Sequence, residues 1–340
     1  MRAARYYAPR DIRVENVEIK SPEGSQILVR IKAAGICGSD LHNYHKGMFM
    51  TYAPIITGHE FVGVVEEIGS LVKGIRPGDH VVADSRVYCK ACDFCRQGHY
   101  NLCPELGFLG EVCEGAFAEF ALQDQSQFFK LPLDLPLEKA VLLEPFAVAL
   151  HLLRSVQIKN GSHLGIVGAG PIGLLSLLAA RELFKCKITI VEPSALRRAK
   201  ALELGANAAF DPTDTEVEKF FSAIPCVIEA VGRSLAFNTA LQLAAKDGTI
   251  VLAGLFEEAY CGDVNLITEK ELLIKGVNGF TNTNILEAIS LMHEGRVDPS
   301  PVIFKRVGLD KINDAFMMMD DPESAAGKVI VVPEPANDNF

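Results

Sequence analysis

Residues 164–173 read Leu164-Gly165-Ile166-Val167-Gly168-Ala169-Gly170-Pro171-Ile172-Gly173. A short apolar run ends in a glycine-rich turn, and the turn opens a helical pattern. In this spacing Gly168 makes the tight turn, Gly170 lets a pyrophosphate approach the backbone, and Gly173 lets helix pack on strand. Pro171 and Ile172 start the helix, whose free amides and positive dipole end face the phosphates. The fingerprint is weak alone. Glu192, about 20 residues on at the end of the next apolar run, strengthens it, because an acid there bonds ribose hydroxyls and repels the extra phosphate of NADP. Arg197 is the nearby base that could accept that phosphate instead.

Working outward, strands at 164–167, 188–191, 226–230 and 250–253 alternate with helices at 171–184, 195–204 and 235–245, the second ended by Gly205. Such alternation predicts an α/β region with a parallel, doubly wound sheet. The N-terminal part differs. Ile12, Val14, Val17 and Ile19, then Ile27, Leu28, Val29 and Ile31, alternate as antiparallel strands do. Gly35 and Gly38 flank Cys37 and are read as a tight turn, and a loop follows His42 up to Gly58. Further strands are expected at 61–68, 80–83, 115–123 and 127–131, and 84–114 reads as a long irregular loop. The helical period over 135–153, interrupted by Pro145, marks the domain crossing. Helices at 285–294 and 311–319 and a strand at 329–332 form a tail expected to return to the first domain, and 334–340 should fray. The expected domains are 1–150, 151–285 and 286–340.

The chain has 340 residues, 49% hydrophobic and 22% charged, with a formal net charge of −10. That acidity disfavours nucleic acid and anionic membrane surfaces as partners. The first residues lack the apolar core of a signal peptide, and the longest apolar stretch, 172–180, is far short of the roughly 20 residues that span a bilayer. The nine cysteines point to metal or free thiols rather than a disulfide framework. The expected location is the cytoplasm.

Four of those cysteines form Cys89-x2-Cys92-x2-Cys95-x7-Cys103. Four thiolates close a tetrahedral zinc with no open position, which describes a structural site; an iron–sulfur cluster uses similar spacing, but nothing nearby supplies a second redox centre. Cys37, His59 and Glu60 offer a thiolate, an imidazole and a carboxylate, the kind of set that leaves a fourth position open in a catalytic zinc site.

On these motifs the chain resembles the zinc-dependent medium-chain alcohol dehydrogenases over nearly its whole length. Gly58-His59-Glu60-x2-Gly63-x5-Gly69-x2-Val72 is similar to that family's zinc signature at every fixed position, and the cysteine lobe and nucleotide fingerprint follow in the family's order. Residues 35–42 and 143–151 resemble the polyol (sorbitol), L-threonine and butanediol branch. The resemblance implies a GroES-like β-rich catalytic domain followed by a Rossmann domain. It implies NAD, one catalytic and one structural zinc, a small alcohol or polyol as substrate, and a homo-oligomer, dimer or tetramer. It casts Cys37, His59 and Glu60 as ligands of the catalytic zinc, Glu144 as an alternate ligand or a partner of the metal's water, and Ser39 and His42 as a proton relay. Cofactor contacts are implied from Ala253-Gly254-Leu255, Asn278 and Phe280. One position departs: sorbitol-type members carry an arginine where Gly279 stands, so its hydrogen bonds to a polyol are missing. L-threonine or butanediol oxidation is the alternative activity. A dinucleotide-binding relative without the reaction is the alternative of another class, and it would have lost Cys37, His59 or the relay.

If the four cysteines close one metal, Cys95→Ser lowers the melting temperature and removes one of two zincs, with a smaller direct effect on chemistry. Metal analysis and calorimetry of the purified variant check this; two zincs and an unchanged melt would show that the cysteines do not share an ion.

Overall fold

The computed structural model describes residues 1–156, 158–321 and 323–333, so the expected frayed tail lies outside the described residues. The chain divides into two units. One comprises Met1–Glu144, Ile285–Asp321 and 328–333; the other comprises Pro145–Asn284 and 323–327.

The second unit is built on a six-stranded parallel sheet. Its strand order is Ala208–Phe210, Lys187–Val191, His163–Val167, Ile224–Glu229, Ala244–Leu252 and Leu273–Gly276. The order reverses between His163–Val167 and Ile224–Glu229, and this switch point is where such sheets take a dinucleotide. Helices Pro171–Phe184, Ala195–Glu203 and Ser234–Leu243 connect the strands. Val167, Val227, Phe237, Leu241 and Ile250 form part of the buried core.

Two expectations shift here. The helix read over 235–245 stops at Leu243, and the strand read from 250 already begins at Ala244. Lys270 explains the stop: its buried ammonium donates to the carbonyls of Leu241, Gln242 and Ala244 at 2.7–2.9 Å and satisfies the helix end. The edge strand Leu273–Gly276 escaped the reading because it is short and mostly exposed, without a buried face to pattern it.

The first unit holds a seven-stranded sheet. Its path runs Phe128–Lys130, His80–Ala83, Glu60–Ile68, Gln26–Gly35, Lys328–Val332 and Ile303–Gly308, and Phe120–Asp124 also pairs with Gln26–Gly35. A three-stranded sheet joins Asp11–Asn16, Arg2–Ala8 and Ile55–Ile56. Ile27, Val29, Phe61, Phe117 and Phe128 share one core with Leu309, Phe316, Val329 and Val331, so the last part of the chain completes the interior of the first.

Three local readings need correction. The presumed turn at Gly38 opens instead into a helix, Gly38–Lys46, which runs into the start of the presumed loop. Its polar sequence hides it from apolar periodicity, but Asp40 caps the Cys37 amide at 2.8 Å, and Gly47 ends it with φ 62° and a bond to the Asn43 carbonyl. Gly35 does not turn the chain; it lies inside the strand Gln26–Gly35. Pro145 does not interrupt a helix. It sits in the first turn of Leu143–Arg154, where its missing N–H costs nothing, and the break falls earlier, after Leu137–Ala140.

The nucleotide loop follows strand His163–Val167. Gly168 has φ 100°, and a Cβ on Gly173 would overlap the Gly168 carbonyl oxygen. A Cβ on Gly170 would meet no heavy atom within 4 Å. Gly173→Ala is therefore expected to destabilise the unit by about 1–3 kcal/mol through overpacking. Gly170→Ala should stay within about 0.5 kcal/mol of wild type while filling the space a pyrophosphate needs. Thermal melts with and without dinucleotide separate the two effects.

Candidate active site and metal centres

The strand register assembles the first centre. Gly35 pairs with Glu60 on one side and with Ile330 on the other. A Cβ at Gly35 would overlap Glu60 Oε2, so glycine makes room for that carboxylate. Lys328 Nζ donates to Glu60 Oε1 at 2.7 Å and to the Ile36 carbonyl at 3.1 Å. Donor atoms of Cys37, His59 and Glu60 all lie within 4.8 Å of one another. Glu60 Oε2 and His59 Nδ1 are buried without a hydrogen-bond partner. Orphaned polar atoms at this depth are costly; a cation at the centre of this donor set would offset that cost for Glu60 Oε2, whereas His59 Nδ1 is turned toward Asp40.

A second ring of side chains supports the donors. Asp40 Oδ1 faces His59 Nδ1 at 3.7 Å, the carboxylate–imidazole arrangement that orients a metal-binding histidine. Burial alone would lower the His59 pKa, but Asp40, Cys37 and Glu144 outweigh it and raise it well above the usual value. Lys328 behaves alike: burial depresses it, yet Glu60 and Cys37 hold it above normal. Glu144 accepts from Ser85 Oγ at 2.6 Å and is pushed up to about 7, first by burial and then by Glu60. Ser39 and His42 stand three residues apart on Gly38–Lys46, hence on one face, and the His42 ring sits edge-on to Phe49 at 6.4 Å. On the same helix, His45 faces Asp320 at 3.1 Å.

Sequence reading missed Asp40, Ser85, Lys328 and Glu111. Asp40 carried a signal in its capping position. Lys328 carried none, since it pairs with a residue 268 positions away. Glu111 lies in the segment 84–114 that reads as an irregular loop. It is buried, it accepts from Asn43 Nδ2 at 3.2 Å, and burial pushes it up to about 7.

The segment 84–114 is more ordered than expected. Arg86–Val87 pairs with Gly107–Phe108, Asp93–Arg96 is a helical turn, and the fully buried Arg86 grips Asp84 through two bonds of 2.8 Å. The sulfurs of Cys89, Cys92, Cys95 and Cys103 form the other close donor group. Backbone amides of Cys89, Ala91, Cys92 and Cys95 point at these sulfurs at 3.3–3.5 Å. Amides aimed at sulfur stabilise thiolates, which a tetrahedral zinc requires.

In the second unit, Glu192 is buried and accepts from Ala169 N at 2.8 Å and Ser194 N at 3.0 Å. It braces the glycine loop, and a carboxylate has lone pairs beyond these two bonds. Arg197 donates to the Ala325 carbonyl at 2.9 Å. Glu229, also missed, accepts from Val231 N and Gly232 N at 2.9 and 2.8 Å, while Ala253 N and Gly254 N donate to its carbonyl. It thus ties together two of the turns that follow the sheet. Leu255 and Asn278 are exposed, whereas Phe280 is fully buried. Gly279 has φ 55°, a conformation that an arginine would adopt only with strain, and its carbonyl meets His151 Nδ1 at 3.1 Å.

With this geometry in hand, comparison with known proteins is specific. Residues 23–133 match the alcohol dehydrogenase GroES-like domain and residues 171–294 match the zinc-binding dehydrogenase domain. The chain belongs to the zinc-dependent medium-chain alcohol dehydrogenase family. It is 33% identical to the sorbitol dehydrogenase of Macaca fascicularis over 322 residues, 91% of this chain and 90% of that one. The crystal structure of 2R,3R-butanediol dehydrogenase from Bacillus subtilis superposes with a TM-score of 0.89 at 33% identity, covering 98% and 99% of the two chains. A Sinorhizobium meliloti protein solved with NADP bound gives 0.89 at 32% identity over 98% and 99%. This dehydrogenase is an alcohol-oxidising or carbonyl-reducing enzyme with sites for two zincs and a nicotinamide dinucleotide. No helix among the described residues is long and apolar enough to cross a membrane.

The steric argument yields a paired test. Gly35→Ala is expected to displace Glu60 and lose the metal of the Cys37 centre, leaving one zinc of two. Gly38→Ala, where a Cβ meets nothing within 4 Å, should keep both and gain slightly in helix propensity. Metal content by mass spectrometry reads the difference directly.

Proposed function

We propose that this dehydrogenase oxidises a secondary alcohol of a polyol or sugar-derived molecule to the ketone, with NAD as hydride acceptor, acting as a homo-oligomer in the cytoplasm. The observation that carries the reading is the buried convergence of Cys37, His59 and Glu60 in a chain that also bears the dinucleotide fingerprint. The sorbitol and butanediol dehydrogenases among its relatives support the substrate class. Bound at these residues, zinc supplies a Lewis acid that acidifies an alcohol, and the nicotinamide supplies the hydride acceptor.

The protein's own groups do the rest. Asp40 fixes the His59 ring, and Lys328 holds Glu60 at its inner oxygen. Glu144, braced by Ser85, serves as an alternate donor toward the metal. Ser39 takes the proton of the substrate hydroxyl and His42 passes it to solvent; their shared helix face supports that route. Glu192 selects NAD over NADP by repelling a phosphate on the adenosine ribose, and the tie between Arg197 and Ala325 engages the base that could have accepted it. With glycine at 279, polyol recognition lacks the arginine of sorbitol-type members, so short diols and L-threonine stand beside sorbitol as candidate substrates.

A panel of polyols, short diols and L-threonine with NAD and NADP, followed at the nicotinamide absorbance, tests the reading. Turnover is expected with at least one of them and a higher kcat/KM with NAD. Glu192→Ala should narrow that preference, and a wild type that prefers NADP overturns it. His42→Ala is expected to slow oxidation up to about 10²-fold, most at low pH where hydroxide cannot replace the imidazole, with zinc content unchanged. A wild-type pH profile in that variant would make His42 a bystander.

A further inference from the structure

Four buried carboxylates surround the Cys37 centre, and they are held differently. Glu60 has the Lys328 ammonium and Asp40 faces His59. Glu144 has the Ser85 hydroxyl and is one of the donors assigned above to the metal. Glu111 remains. It is 6% exposed, its carboxylate is bonded by the neutral Asn43 amide, and among the described residues no lysine or arginine pairs with it. It nevertheless lies within electrostatic reach of both His59 and Asp40. Its turn is fixed against the metal ligand's own turn. A Cβ on Gly110 would come within 2.7 Å of Gly58 N, Phe108 stands 6.1 Å from the His59 ring, and the Glu111 carbonyl accepts from both Thr51 N and Thr51 Oγ1.

A buried acid without a cationic partner is costly to keep as an ion. Placed beside a reacting centre, it favours partners that donate and disfavours partners that are negative. We propose that Glu111 reads the substrate: its carboxylate accepts a hydrogen bond from an O–H or N–H on the carbon next to the reacting carbinol, and it turns away substrates that carry a carboxylate or phosphate there. This rests on the dehydrogenase reading above. It narrows the substrate class to neutral polyols, diols and amino alcohols, against substrates with a carboxylate or phosphate on the neighbouring carbon, L-threonine among them.

The experiment compares kcat/KM for a vicinal diol, a vicinal amino alcohol and a β-hydroxy acid, each with a methyl carbinol, in wild type, Glu111→Gln and Glu111→Asp. Wild type should favour the diol and the amino alcohol. Glu111→Gln should raise the hydroxy acid relative to the diol about tenfold or more, and lower the amino alcohol relative to the diol by a similar factor, as loss of a partly desolvated charge contact does. Glu111→Asp, which keeps the charge, should keep the wild-type ranking. Zinc content and melting temperature are read alongside; if Gln unfolds the turn, Glu111→Met, uncharged and close to glutamate in length, carries the same comparison. Ratios that stay within about twofold of wild type overturn the proposal and leave Glu111 a support of its turn. Wild-type turnover with unmoved ratios strikes only Glu111, whereas a wild type that turns over no member of this set or of the polyol panel removes the dehydrogenase reading and this one with it.

Discussion

The catalytic unit depends on an ion pair that exists because a side chain is missing. Lys328 and Glu60 are 2.7 Å apart, with side chains 2% and 1% exposed. They come from strands on either side of Gln26–Gly35, and the pairing that sets them there centres on Gly35. Any Cβ at Gly35 would occupy the space of Glu60 Oε2. Burying a carboxylate or an ammonium alone costs several kcal/mol, and breaking such a pair from one side costs about 3–5 kcal/mol. The returning strand Lys328–Val332 therefore neutralises the innermost acid of the centre as well as completing the core. The apolar core that Leu309, Phe316, Val329 and Val331 share with the first strands draws the last part of the chain back, and Lys328 comes with it.

That neutralisation makes the remaining electrostatics intelligible. With Glu60 paired to Lys328 and Asp40 turned toward His59, the buried acids left around the centre are Glu144 and Glu111, both pushed up to about 7 by burial. One cation at the Cys37 centre would pull both back toward the ionised form. The centre is thus arranged to be complete only with its metal, whereas the cysteine lobe gains its order from backbone amides as well. The hairpin of Arg86–Val87 with Gly107–Phe108 and the Asp84–Arg86 pair brace it from within.

Much of this was legible in the sequence, and what was hidden was hidden for physical reasons. The strand–helix alternation of 164–253 announced the parallel sheet because apolar runs buried on both faces and Gly-punctuated turns are local signals. Cys89, Cys92, Cys95 and Cys103 were legible because a metal demands fixed spacing. Cys37, His59 and Glu60 were named from chemistry and from the resemblance to zinc dehydrogenases, since spacing alone does not bring position 37 to position 59. Lys328 was invisible because nothing local distinguishes a buried lysine from a solvated one. The helix Gly38–Lys46 was missed because its signals are caps rather than an apolar stripe. Gly35 and Pro145 were read by their commonest roles, a turn and a helix break. A clash with Glu60 and a place in the first helical turn gave them different ones.

The two missed and found helices share a logic that joins the halves of the reaction. In the first unit, Cys37 occupies the N-cap of Gly38–Lys46, with Asp40 holding its amide. In the second, the loop Gly168–Gly173 leads into Pro171–Phe184, with Glu192 holding the Ala169 amide. Each helix start has a carboxylate tied to its backbone and a negative ligand group assigned to its positive end, a thiolate in one case and a pyrophosphate in the other. Helix N-termini favour negative charge by about 0.3–1 kcal/mol in exposed settings and more when buried. The carboxylates serve a second purpose, because a bonded amide can no longer shift the loop that carries the reactive group. A glycine stands at each place, Gly35 making room for Glu60 and Gly170 leaving the space that phosphates would need. Metal and cofactor would therefore be held by the same device, a helix start fixed by an acid and cleared by a glycine, and in both places the acid and the glycine set the position before any ligand arrives.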